Sequence, residues 1–129
     1  MYDRLEIFQM ASGLARHASA RQANIAANVA NADTPGYRAR DLAPFSETYR
    51  ASDNGTALRG TRAGHFDSRD RGRAEFQVID RPGASAPNGN TVSLENEMMK
   101  AVEVRFQHET ALSVYQTSLN ILRISIGRG

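Results

Sequence analysis

The sequence predicts a mainly α protein in which long N-terminal and C-terminal helices pack as a coiled-coil-like pair around an irregular middle segment. Three observations lead there. Residues 3–31 and 93–126 each carry a row of side chains at alternating steps of three and four, the spacing of one narrow helical face. Neither run contains proline, and the second also lacks glycine, so nothing forces a break inside either helix. Residues 38–90 are instead dominated by Gly, Ser, Asp, Asn and Arg, too poor in apolar side chains to build a core of their own. The chain thus divides into residues 1–34, 35–90 and 91–129.

The N-terminal row runs through Phe8, Ala11, Ala15, Ala18, Gln22, Ile25, Val29 and Ala32. It is mostly alanine, so a second helix can approach closely along it. Asn24, Asn28 and Asn31 form a polar stripe beside Ile25 and Val29. Asparagine is a poor helix-interior residue whose amide can hold nearby backbone. Thr34-Pro35 then drives the chain out of helical geometry, and Pro35-Gly36 suits the centre of a type II turn with Gly36 at positive φ. Two readings stand for Asn28, Asn31, Asp33, Thr34, Pro35, Gly36 and Tyr37: a solvated face with an ordinary stop signal, or a specified corner that fixes the chain's exit from the helix.

In the middle segment, Pro82-Gly83 and Pro87-Asn88-Gly89-Asn90 are turn signals. Residues 74–80 (AEFQVID) alternate weakly and suit one short strand or hairpin arm. The last helix starts near Thr91 or Ser93, with Ser93 as cap and Glu95 and Glu97 in its first turns, where acids favour the positive helix end. Arg123 lies near the opposite end. The C-terminal row is Met98, Ala101, Arg105, His108, Leu112, Tyr115, Leu119, Leu122 and Ile126, extended backwards by Leu94. Arg105 and His108 interrupt it, and Val102, Val104 and Phe106 offer a second face there. Such a helix is roughly 50 Å long, more than a small domain can wrap. Either the two terminal helices form one antiparallel or steeply crossing pair, or each packs mainly on copies in other subunits. The packing anchors expected are Phe8, Ala15, Ile25 and Val29 against Met98, Leu112, Tyr115, Leu119, Leu122 and Ile126.

Composition narrows the chemistry. The absence of cysteine excludes disulfides, thiolate nucleophiles and zinc–thiolate sites. The three histidines, His17, His65 and His108, lie in separate segments without paired ligand spacing. Glu95 and Glu97, like Asp67 and Asp70, are read as capping or solvated acids and not as acid–base catalysts. No phosphate-binding glycine loop or nucleophile elbow is present, and Asn54-Gly55-Thr56 matches a glycosylation acceptor only formally. The start MYDRLEIFQMASG does not resemble a cleavable secretory signal, and no run is long enough to span a bilayer. The expectation is a protein that stays in the cytoplasm or leaves by a route needing no such signal. Net charge is +2 with a pI near 9.4, and all but one of the basic residues are Arg, Lys100 being the exception. Interleaved acids (Asp67, Asp70, Glu75, Asp80) read the densest Arg cluster as a mixed-charge loop. Nucleic-acid or regulatory binding through it is the remote alternative.

The stretch ANVANADTPGYRAR, residues 27–40, resembles the N-terminal signature of the bacterial flagellar axial proteins, the rod, hook and hook-associated group. The run NGNTVSLENEMMKAVEVRFQHETALSVYQ, the fragment at residues 61–66 and the short length narrow the resemblance to the proximal rod, with the sister rod protein FlgC as the nearest alternative. The resemblance implies a non-enzymatic structural subunit of the basal-body rod, without cofactor or metal, polymerising helically through its terminal helices and required for flagellum assembly and motility. Implied partners are copies of itself, the rod proteins FlgC, FlgF and FlgG, the adaptor FliE with the MS-ring region, and the flagellar type III export apparatus. Nucleic acid and membrane insertion are not implied. Export without a cleavable signal into the periplasm-spanning rod follows, with the C-terminal helix innermost and its polar face towards the lumen.

Overall fold

The computed structural model describes residues 2–53, 76–81 and 83–127. In chain order these form α1 (Tyr2–Ala30), β1 (Arg40–Leu42), α2 (Phe45–Asp53), β2 (Val78–Asp80) and α3 (Leu94–Ile126). His65, Asp67, Asp70, the glycosylation-like triplet, the fragment at 61–66 and the densest Arg cluster lie outside the described residues.

The two long helices pack antiparallel. Asn28 meets Glu97, Arg21 approaches Glu103, and the Phe8 ring meets that of Tyr115 edge-on at 5.3 Å. The contact rows consist of small residues: Ala18 and Val104 are fully buried, and Ala11, Ile25 and Ala111 nearly so. Alanine on both sides lets the helix axes come close, and the buried stripe of α3 therefore runs Glu97, Val104, Ala111. Several anchors expected from the C-terminal row do not enter this seam. Met98 is 68% exposed and Ile126 76%, while Leu112 is also exposed, as is Val29 on α1. At so close an approach a bulky side chain fits only beside the contact line, so Val104 and Ala111 occupy it and Met98 and Leu112 flank it. Phe8, Ala15, Leu119 and Leu122 are half-buried, and Tyr115 keeps its ring on Phe8.

Ser93 caps α3 as expected: its extended backbone (φ −108°, ψ 114°) places the hydroxyl to accept from the Asn96 amide. The strand expected over 74–80 is realised as β2, pairing antiparallel with β1 in the register Arg40↔Asp80, Asp41↔Ile79, Leu42↔Val78. The middle also holds α2, a helix that the low apolar content did not suggest. Its first turn opens on the Pro44 carbonyl, which accepts from the Glu47 and Thr48 amides. Phe45 anchors it on α1, where a Cβ at Gly13 would lie only 3.2 Å from the Phe45 ring. His17 completes this cluster: it is buried, packs on Phe45 and Phe76, and its Nε2–H donates to the Ala43 carbonyl at 2.7 Å. No helix among the described residues is long and apolar enough to cross a membrane.

Candidate functional site

The corner between α1 and β1 is where distant parts of the chain converge. At the end of α1 the Asn31 amide group donates to the Ala27 carbonyl, and its oxygen accepts from the Thr34 hydroxyl. Thr34–Tyr37 forms the expected turn: Gly36 takes φ +72°, and the Tyr37 amide donates to the Thr34 carbonyl at 3.3 Å. Asp33, Thr34, Pro35 and Gly36 make up its exposed edge.

A second turn, residues 86–89, backs onto the first. Gly89 sits at φ +82°, and a Cβ there would lie 3.5 Å from the Gly36 Cα. The Gly36 amide donates to the Asn88 carbonyl, and the Thr91 amide to the Tyr37 carbonyl. The Ala39 amide donates to the Thr91 hydroxyl at 2.8 Å. Buried Asn90 locks the pair together, sharing its Nδ2 hydrogens among the carbonyls of Asn31, Ala32 and Thr34 at 2.7–2.9 Å. Carbonyls just past a helix end lack intrahelical partners, and Asn90 supplies donors to them. Its oxygen in turn accepts from the Val92 amide, which orients the side chain.

Asn28 is the hub on the inner side, 1% exposed. Its Nδ2 donates to the Arg40 carbonyl (2.7 Å) and to Glu97 Oε2 (3.1 Å), and its Oδ1 accepts from the Arg40 amide (3.1 Å) and the Tyr37 hydroxyl (3.3 Å). Two donors and two acceptor positions are thereby all used. One amide joins α1, the turn, β1 and the start of α3.

A charged cluster extends from this hub. Buried Asp41 accepts two hydrogen bonds from Arg21, Nε to Oδ1 at 2.9 Å and Nη2 to Oδ2 at 3.2 Å. Lys100 Nζ reaches Glu97 at 3.0 Å and Asp41 at 3.9 Å. Burial alone would raise the Asp41 pKa, but hydrogen bonds from Arg21 and the Leu42 amide, with the charges of Arg21 and Lys100, hold it below the ordinary value. The same pairing raises the Arg21 pKa against the opposing effect of burial. Two cations face the buried carboxylates of Asp41 and Glu97, with the exposed Glu103 3.8 Å from Arg21, so the buried charges are balanced and their desolvation cost is offset by hydrogen bonding. The cluster forms at only one alignment of α1 with α3 and therefore fixes their register.

Glu97 thus departs from the capping or solvated role expected of it: it is a buried partner of Asn28 and Lys100. Arg21 and Asp41 were not singled out by sequence reasoning, while Thr91 was read only as a possible start of the last helix and Asn90 only as part of the Pro87–Asn90 turn signal. Nothing here provides a nucleophile or a metal cage. Among the described residues no group of three or more His, Asp or Glu is placed to hold a metal ion. The arrangement sets the direction and register of two long helices.

Residues 10–38, the stretch ending in this corner, match a family model described as "Flagella basal body rod protein". The chain is 36% identical over 102 residues to the flagellar basal body rod protein FlgB of Cereibacter sphaeroides, covering 79% of each chain. It is 32% identical over 103 residues to FlgB of Escherichia coli (72% of each chain). With FlgB of Agrobacterium fabrum it shares 27% over 128 residues, 96% of this chain and 95% of the relative. The similarity runs across both helices and the corner that joins them, and the chain belongs to the FlgB family of flagellar basal body rod proteins.

Proposed function

We propose that this chain is laid down helically in the proximal rod, completing its packing through its two terminal helices. As a FlgB-family member it is a structural subunit of the flagellar basal body and assembles with other basal-body components. One observation carries the helical reading: large apolar side chains remain uncovered on both long helices, Leu5, Ile7 and Met10 on α1 and Val102, Phe106 and Ile124 on α3 among them. Contiguous exposed apolar surface marks contact with other chains, and a heterologous contact that does not close propagates as a helix.

In this reading the neighbours are copies of the chain and the rod proteins FlgC, FlgF and FlgG, with FliE and the MS-ring region at the base. The chain performs no catalysis and reaches the periplasm-spanning rod through the flagellar type III export apparatus. The C-terminal helix lies innermost. Mass spectrometry of purified hook–basal bodies tests this: the chain is expected there in a few copies. Its absence from the particles, with the chain retained in the cytoplasm, overturns the assignment.

A further inference from the structure

The sequence holds two Asn-Gly steps, Asn54–Gly55 and Asn88–Gly89, and the second lies in the turn that backs the corner. Glycine carries no Cβ, so the nitrogen after such an asparagine is unshielded and can attack the asparagine Cγ. At Asn88 the bond from Gly89 N to Cγ would form and the bond from Cγ to the amide nitrogen would break. Ammonia leaves with the Gly89 amide proton, and a five-membered succinimide remains. Water then opens the ring at either carbonyl, giving aspartate or isoaspartate. Isoaspartate routes the main chain through the side chain, one methylene longer, and leaves the former main-chain carbonyl as a pendant carboxylate.

The folded corner withholds this reaction. Residues 86–89 close with the Gly89 amide donating to the Ala86 carbonyl at 2.8 Å. Asn88 does not have positive φ, so Pro87 and Asn88 are the two centres of a type I turn. There ψ of Asn88 is about 0°, and the Gly89 nitrogen stands roughly a third of a revolution from the Asn88 Cβ, out of line for ring closure. The side chain is held as well, its Oδ1 accepting from the Asn90 amide at 3.0 Å. The Asn88 carbonyl accepts from the Gly36 amide at 3.0 Å. Turning Asn88 into the reactive arrangement breaks the bond to Ala86 and swings this carbonyl off Gly36. Asn88 and Gly89 are exposed to water, so conformation protects them and burial does not.

We propose that Asn88–Gly89 is a self-modification site gated by the corner: closed, it is inert; open, it passes through the succinimide to isoaspartate. The change runs one way. The two turns already touch, a Cβ at Gly89 lying 3.5 Å from the Gly36 Cα. A longer main chain there removes the acceptor from Gly36 and carries Asn90 out of register with the carbonyls of Asn31, Ala32 and Thr34. Ordinary aspartate at 88 keeps the main chain and an Oδ1 for the Asn90 amide. Time spent with the corner open is thus written into the chain, and a chain left open too long loses the ability to close.

The test uses full-length protein carrying Asn54→Gln, which leaves Asn88–Gly89 as the one Asn-Gly step. It is incubated in mildly alkaline buffer with and without urea, and isoaspartate at residue 88 is read by peptide mapping. The rate follows the population of the open state, and every ~1.4 kcal/mol of closure slows it tenfold. Folded chain is expected to react at least roughly tenfold more slowly than chain in urea. Asn90→Ala, its helices confirmed by circular dichroism, is expected to react faster than its parent in plain buffer. Thr91→Val, which removes only the hydroxyl that accepts from Ala39, should give a smaller rise. After refolding, the isoaspartyl-88 fraction is expected to melt below both the parent and Asn88→Asp. Equal rates with and without urea, no isoaspartate at 88 in urea, no rise in either variant, or an isoaspartyl chain that melts with its parent each overturn the proposal.

Discussion

Asn28 on α1 and Glu97 on α3, separated by 69 positions in the chain, meet through a buried 3.1 Å hydrogen bond that joins one end of the N-terminal helix to the start of the C-terminal one. The carboxylate is held from its other oxygen by Lys100, and the amide by Arg40 and Tyr37. The Asn28 amide has no spare donor or acceptor position, and each Glu97 oxygen holds one of these donors. Asn28→Ala therefore leaves Glu97 and the Arg40 backbone short of partners in a buried setting. Unsatisfied buried polar groups cost ~1–3 kcal/mol each. The expected outcome is a loss of roughly 3 kcal/mol, read from urea unfolding followed by helical circular dichroism. Asn28→Asp is expected to be worse at neutral pH, because it sets a second carboxylate against Glu97.

Asp41 gives the fold an acid-sensitive joint. Its folded pKa lies below the unfolded one, so its stabilising contribution is complete above the unfolded value of about 4 and is lost as pH falls through the folded value. The wild type is expected to lose thermal stability steadily below about pH 4. Asp41→Asn starts from lower stability at neutral pH and shows a flatter acid branch. Melting temperatures measured from pH 2 to 7 separate the two, and parallel acid branches would contradict the role given to Asp41.

Gly36 has open space where a Cβ would stand, so a side chain there is opposed only by the φ of +72°. Gly36→Ala is expected to cost about 1–2 kcal/mol. Gly36→Asn should cost less, because asparagine tolerates the left-handed region. Gly36→Val, β-branched and stiff, should cost most and misdirect the corner. The order Asn, Ala, Val in thermal melts checks this.

Leu119 and Phe106 separate folding from assembly. Leu119 is half-buried in the helix pair and Phe106 is exposed. Leu119→Asp is expected to lower the melting temperature of the isolated chain and abolish incorporation, because it draws an unpaired charge into the seam. Phe106→Asp should leave the melt within about 0.5 kcal/mol yet also abolish swimming in a complementation assay. Normal motility in the second variant would show that the outer strip of α3 is dispensable.

Both long helices, the Ser93 cap and the Pro35–Gly36 turn were legible because each has a local cause: a period, a cap, a forced φ. At Asn28 the spacing alone left a solvated face and a specified corner both open. The phase of the C-terminal seam was only partly legible. Periodicity weights bulky apolar residues and so selects Met98 and Leu112, whereas close approach selects Val104 and Ala111 and places the charged Glu97 in line with them. The partnership of Asn90 with Asn31, Ala32 and Thr34 spans nearly 60 residues, and no spacing rule encodes a contact of that range. Helix α2 escaped for a related reason, since it is held by Phe45 on α1 more than by an apolar stripe of its own.

The clasp made by Asn90 has a consequence for how the molecule is born. A chain that emerges N-terminus first, from ribosome or pore, shows the end of α1 long before the residues that tie it down. The carbonyls of Asn31, Ala32 and Thr34, just past that helix, lack the Asn90 amide until it arrives, and one Asn28 Nδ2 hydrogen lacks its acceptor until Glu97 does. A product cut short before position 90 can build neither joint. The corner thus serves as a receipt for full length, and only a finished chain can stiffen at its own hinge.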